Sequence, residues 1–317
     1  MFVILRHSYY VCRITIIILR LLEYVKFFLN IFYFCKDDPK CGIITLMKAN
    51  LYLSDISAYY GKKLVLKNVS VNIPQAELTC LCGPNGCGKS TLLTILAGAA
   101  SKEPQLKTLQ GVKRKSGSKT LANNNSINAM ELEKLPRKKT ARIVSYMQQS
   151  EYSTWNFTVK ELVLQGRFCH TKNGFYTKED EELAQEAMEE LQILSLAQRP
   201  LHSLSGGEFQ KARIARALCQ TPDFILLDEP AANLDFVYEP WLMKKLSSLA
   251  HSKNTGILIS IHDVNLAAGY ADQLILLPLL EQAICGKIEE ILTTENLKKT
   301  YGMEFECQKV NYFQSLL

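Results

Sequence analysis

A strand, a glycine-rich loop and a helix follow one another from Leu78 to Gly98, and no other stretch restricts the fold as tightly. Leu78 to Cys82 is a short apolar run that reads as a buried strand. It breaks at Gly83 into G-x-x-x-x-G-K-S, Gly83 to Ser90. Leu92, Leu93, Ile95 and Leu96 then carry helical periodicity to about Gly98. Strand, loop and helix in that order are the context the pattern requires. Gly83, Gly86 and Gly88 let the backbone turn sharply and approach an anion, because no Cβ stands in the way. Exposed amides and the positive end of the helix then favour phosphate oxygens. Lys89 is expected to reach the β- and γ-phosphates, and the Ser90 hydroxyl to ligate Mg²⁺. The stretch is a phosphate-binding loop.

At 317 residues the chain can bury a sizeable core and hold one large or two modest domains. Its ten cysteines are scattered irregularly, unlike a disulfide framework. Cys80 and Cys82 share one strand face without a second ligand pair, so buried reduced thiols and a cytosolic setting are expected. The net charge of +6 is unevenly placed. Residues 101–143 carry eleven Lys/Arg against three Asp/Glu, whereas 144–317 carry fifteen against twenty-three. Such a segment could meet nucleic acid or anionic lipid. Ser116 to Asn128, polar and rich in Asn and Ser, favours a solvated basic loop over about 101–140, and no nucleic-acid partner is expected.

Residues 1–46 are apolar and aromatic, unlike anything after them. Ile14 to Cys35 is long enough to span a bilayer, but Arg20, Glu23, Lys26 and Asn30 interrupt it. A central charge costs about 2.5–3.5 kcal/mol on insertion scales. The four lie three or four apart, as one narrow polar stripe on a helix that would suit a membrane surface or a partner. The competing reading is an extension absent from the working protein, since Met47 opens a stretch that looks like a complete domain start.

From there, Leu51 to Ala58 and Val65 to Ile73 alternate like half-buried strands around a turn at Tyr59-Tyr60-Gly61. Ala141 to Met147 reads as a further strand ending at Gln148 and Gln149. Thr158 to Gly166 and Glu179 to Leu194 read as helices, the second acidic and amphipathic. Leu204 to Gln210 opens a helix running to Leu218, with Lys211, Arg213 and Arg216 along it. Phe224 to Leu227 and Thr255 to Ile261 are continuous apolar strands of a parallel sheet, ending in Asp228-Glu229 and His262-Asp263.

Gly83–Ser90, Leu204–Gln210, Phe224–Glu229 and His262 stand in the order that characterises ATP-binding cassette (ABC) ATPases, which the chain resembles from about Leu51 to Leu279. Leu-Ser-Gly-Gly-Glu, Leu204 to Glu208, is the sharpest signal. The resemblance implies an α/β fold: a P-loop NTPase core of ABC type, with an antiparallel β subdomain and an inserted α-helical subdomain. The nucleotide-binding domain is expected over 47–290, its helical subdomain over about 151–220, and a C-terminal tail over 291–317. ATP would be held by Tyr60, stacked on adenine, and by Gly83, Pro84, Asn85, Gly86, Cys87, Gly88, Lys89, Ser90 and Thr91. Mg²⁺ would meet Ser90, Gln149 and Asp228, with the adjacent Gln148 an alternative by one position. Glu229 would polarise the attacking water, aided by His262, Lys89 and Gln149. Leu204, Ser205, Gly206, Gly207 and Glu208 would meet the ATP of a second copy, and Asp235 would join the two sites across that homodimer.

Phe157 to His170 resembles the helical subdomain of importers for iron complexes, haem and cobalamin, with Cys169 in place of a proline. Leu132 to Arg142 is similar to the same group. The resemblance implies an ATPase on the cytoplasmic face of the cell membrane, powering a separate integral membrane permease and, indirectly, a substrate-binding protein. A zinc or manganese importer ATPase is the alternative within transport, and a soluble ABC ATPase the alternative outside it.

Overall fold

In the computed structural model, the described residues are 49–100, 105–110, 126–151, 156–231 and 237–307. The apolar stretch 1–46, most of the basic segment, Asp235 and the last ten residues of the tail lie outside them. Among the described residues no helix is long and apolar enough to cross a membrane.

Among the described residues, ten strands form two sheets. β1 (Asn50–Tyr60), β2 (Lys63–Pro74) and β4 (Leu106–Gln110) are antiparallel, and β5 (Ser126–Asn128) adds to β1 in parallel. The second sheet has the order β10-β9-β3-β8-β7-β6. It comprises β3 (Leu78–Cys82), β6 (Val144–Met147), β7 (Phe224–Asp228), β8 (Gly256–Ser260), β9 (Gln273–Leu276) and β10 (Ile284–Lys287), parallel except for the last.

The helices are α1 (Lys89–Leu96), α2 (Ala129–Leu132), α3 (Arg137–Ile143), α4 (Val159–Leu164), α5 (Lys178–Glu190), α6 (Gly206–Cys219), α7 (Tyr238–Ser252), α8 (Val264–Tyr270), α9 (Ile288–Ile291) and α10 (Thr294–Tyr301). Chain alternation sorts the core of the parallel sheet. Cys80, Cys82, Ile225, Leu227, Ile257 and Ile259 face the cluster formed with α4 to α7. Leu81, Phe224, Leu226 and Leu258 face the other cluster, shared with α1 and the antiparallel sheet. With both faces covered, every residue of β3, β7 and β8 is buried, which is why those strands read as mainly apolar runs.

The helices α4, α5 and α6 are inserted between β6 and β7. Thr158, Thr177 and Ser205 each close a capping box with Glu161, Asp180 and Glu208 three positions on. Inside this insertion the Arg167 guanidinium is buried, with Nε 2.8 Å from Asp180 Oδ1 and Nη1 donating to the Cys219 carbonyl and the Thr221 hydroxyl.

Several expected boundaries are corrected. Tyr59 and Tyr60 belong to β1, and the turn is Gly61-Lys62, with Gly61 at φ +58°. Ala141 to Ile143 end α3 rather than begin a strand, because Pro136 caps that helix and its carbonyl accepts from Lys139 and Thr140. The acidic helix stops at Glu190, not Leu194, where Gln192 turns left-handed. The helix from Thr158 tightens to a 3-10 turn at Gln165–Cys169. The described parts of 101–140 are not a plain solvated loop: Leu106 to Gln110 pair with β1, and α2 packs on the core through Ala129 and Leu132.

Candidate functional site

In a parallel sheet the carboxyl ends of the strands lie along one edge, where chain segments far apart in sequence meet. β3 runs into the glycine loop there, β6 into Gln148, β7 into Asp228-Glu229 and β8 towards His262.

The loop has a shape that side chains would spoil. A Cβ on Gly83 would lie 2.5 Å from the Leu277 carbonyl oxygen and 2.9 Å from Cys87 Sγ. Gly88, at φ +106°, caps α1 and presses on Leu66. Lys89 is 7% exposed, and its ammonium donates to the carbonyls of Gly83 at 2.8 Å and Pro84 at 3.3 Å. The charge is thus held over the loop's own backbone, and no carboxylate among the described residues pairs with it. Burial pushes the Cys87 thiol up, against the pull of the Lys89 charge, so Cys87 is a packing residue of the loop.

Three polar residues converge on Glu229. Gln149 Nε2 donates to its Oε2 at 2.7 Å, and His262 Nε2 lies 2.8 Å from its Oε1. The Glu229 backbone is left-handed, at φ +48°, and its N–H donates to Ser260 Oγ at 2.8 Å. The same hydroxyl donates to Asp228 Oδ1 at 2.6 Å. Asp228 is 1% exposed and must find strong partners. Ser260 therefore fixes both acidic residues, through the register that sets it beside Asp228. Between the two glutamines, Gln149 is the one whose side chain reaches Glu229.

At the start of α6, Ser205 Oγ accepts the Glu208 N–H at 3.3 Å, while Glu208 Oε2 accepts the Ser205 N–H at 2.8 Å. That backbone N–H and the Ser205 hydroxyl hold the Glu208 carboxyl below its ordinary range. Ser205 and Gly206 are exposed. No hydrogen bond among the described residues joins Leu204–Glu208 to the glycine loop of the same chain. Tyr60 ends β1, half-buried against the second core cluster.

Two residues of the site were not singled out from sequence. Ser260 is the only hydroxyl in its strand, and its role appears only once β7 and β8 are aligned. Gln210 is 3% exposed and donates to the carbonyls of Glu229 at 3.3 Å and Pro230 at 3.1 Å, tying α6 to the end of β7.

Residues 66–232 match the family described as ABC transporter. The chain is 32% identical over 257 residues to the petrobactin import ATP-binding protein YclP of Bacillus subtilis, covering 81% of this chain and 94% of that protein. It is 33% identical over 258 residues to the ferric enterobactin transport ATP-binding protein FepC of Escherichia coli, covering 80% and 88%. A solved chain described as an inward-facing conformation of a metal-chelate type ABC transporter superposes with a TM-score of 0.66 at 26% identity, covering 84% of this chain and 94% of that one.

Proposed function

This chain belongs to the ABC transporter family, and we propose that within it the chain is the ATP-binding and ATP-hydrolysing subunit of an importer for an iron complex (a siderophore or haem) or cobalamin. The observation that carries the hydrolytic part is the meeting of Gln149 and His262 on the Glu229 carboxylate. The cargo class rests on relatives named for petrobactin import, ferric enterobactin transport and haemin import.

Phosphoryl transfer demands positioning and charge stabilisation more than covalent help. Glu229 polarises the attacking water and takes up its proton, with Gln149 and His262 fixing the two carboxylate oxygens. Lys89 and the amides from Gly83 to Thr91 neutralise the phosphates, and Tyr60 stacks on the base. The hydroxyl of Ser90, the carboxylate of Asp228 and the carboxamide oxygen of Gln149 are hard donors suited to Mg²⁺. When bound, Mg²⁺ neutralises phosphate charge.

Two copies enclose each ATP, the loop of one facing the Ser205-capped helix of the other, with Asp235 linking the sites. The pair works beneath a separate permease, on the cytoplasmic face of the membrane, and is fed by a substrate-binding protein. Co-purification with a permease, followed by ATPase assays with candidate loaded binding proteins, tests this reading. The expected result is cargo-stimulated hydrolysis that Lys89→Ala abolishes together with uptake. Uptake that survives Lys89→Ala removes the chain as the motor.

A further inference from the structure

Beyond Met147 the strand β6 ends, and the chain through Gln148 and Gln149 loses its ladder partners while still carrying backbone carbonyls. One side chain collects them. Arg213, on α6 and 3% exposed, donates through Nη2 to the Gln148 carbonyl and through Nη1 to the Gln149 carbonyl at 3.4 Å. Its Nη1 also donates to Gln210 Oε1 at 2.8 Å, and its Nε to Glu151 Oε2 at 3.4 Å. Glu151 is held in turn by Arg216, at 2.7 and 2.6 Å. Gln210 grips the carbonyl of Glu229. The loop end that carries Gln149 and the strand end that carries Glu229 thus hang from one Arg213–Gln210 pair.

We propose that Arg213 is a positioning residue for ATP hydrolysis, holding the Gln148–Gln149 backbone on α6 so that the Gln149 carboxamide stays on Glu229. The inference rests on the hydrolytic reading above. Its physics is that of a fixed fork. A guanidinium can serve two carbonyls, a carboxamide and a carboxylate at once, which a lysine ammonium cannot. Its burial is sustained by Glu151, which compensates the charge. A displacement of about 1 Å at reacting groups is enough to cost about 10²-fold in rate, and the exposed Gln149 is held in place by the carbonyl contacts of Arg213.

The test compares steady-state kinetics of the purified full-length chain and its variants with Mg²⁺–ATP. Arg213→Gln is expected to lower kcat about tenfold or more, with KM and equilibrium nucleotide binding within about twofold of wild type. Arg213→Lys is expected to restore the melting temperature while kcat stays about fivefold low or worse. A purely structural role would instead return stability and kcat together. Should Arg213→Gln fail to fold, Glu151→Gln decides. A fall in kcat of about threefold or more at unchanged KM supports the assignment, and wild-type kcat overturns it. A folded Arg213→Gln with kcat within about twofold of wild type also overturns it, provided the wild type is active. A wild-type chain that hydrolyses nothing even when co-purified with its permease overturns this inference and the hydrolytic reading together.

Discussion

His262 Nε2 sits 2.8 Å from Glu229 Oε1, although 33 residues separate them in sequence. The pair exists because β7 and β8 are parallel neighbours in register, so their carboxyl ends lie side by side. The left-handed turn at Glu229, pinned by its N–H to Ser260, aims the carboxylate at the imidazole.

His262→Ala removes one of the two groups that fix the Glu229 carboxylate. We expect kcat to fall about 10²- to 10³-fold, on the scale of losing a preorganised polar contact at a reacting centre. Nucleotide binding, which we assign to the glycine loop, should change little. Phosphate release measured beside fluorescent-nucleotide titration separates the two quantities, and equal losses in both would contradict the assignment.

Gly83 and Gly86 are needed for different reasons, which two substitutions tell apart. At Gly83 a Cβ meets the Leu277 backbone at 2.5 Å, so Gly83→Ala should cost about 1–3 kcal/mol, and Gly83→Asn more. Gly86 has open space but φ +78°, so Gly86→Ala should cost about 1–2 kcal/mol. Gly86→Asn should recover part of that, because Asn tolerates this backbone region. Urea-unfolding midpoints of the four variants provide the comparison.

Asp180 ties stability to acidity. Burial pushes its carboxyl up, but the Thr177 N–H, the Arg167 guanidinium and the Thr177 hydroxyl outweigh burial and leave it lowered. A carboxyl lowered by folding stabilises fully above its unfolded value of about 3.9, and this contribution is lost as pH falls through the folded value. Asp180→Asn should therefore flatten the acid side of the stability–pH curve. It should also cost about 3–5 kcal/mol at neutral pH, since Arg167 is left charged and buried. Replacing both residues, as Arg167→Met with Asp180→Leu, should recover only part of that loss in the same denaturation assay, because the Thr177 N–H and hydroxyl still lose their acceptor.

The thiols should divide by depth. Burial pushes Cys82 and Cys219 up to about 12 and Cys80 well above its ordinary value, whereas Cys307 is exposed. At pH 8 a thiol of that kind is thiolate about once in 10⁴ molecules. Among the cysteines of the described residues, native iodoacetamide treatment read by mass spectrometry should label Cys307 first and leave Cys80, Cys82 and Cys219 untouched until denaturant is added. Early labelling of Cys82 would mean that the base of the phosphate loop opens readily.

What was legible in the sequence follows from burial and from local chemistry. Leu78–Cys82, Phe224–Asp228 and Gly256–Ser260 announce themselves because strands covered on both faces are apolar at most positions, the exceptions being Thr79 and the site residues Asp228 and Ser260. The Leu204–Glu208 cap is legible because Ser and Glu three apart satisfy each other's neighbouring amides. Ala141 to Ile143 misled, since three residues leading into a strand fit either period, and what decides is the upstream Pro136. Gln192 ends its helix by a left-handed turn that no glycine signals. Ser260 and Arg213 stayed hidden for a different reason. Each acts on residues dozens of positions away, Ser260 on Asp228 and Arg213 on Gln148, and only the sheet order and the packing of α6 bring them together.

The central position of β3 bears on how the polypeptide matures at the ribosome. Its two sheet neighbours, β8 and β9, begin at Gly256 and Gln273, so the glycine loop leaves the exit tunnel long before either can flank it. Until then an apolar five-residue segment has open edges and needs shielding from other nascent chains. Translation that halts before Leu276 leaves β3 without its full set of neighbours.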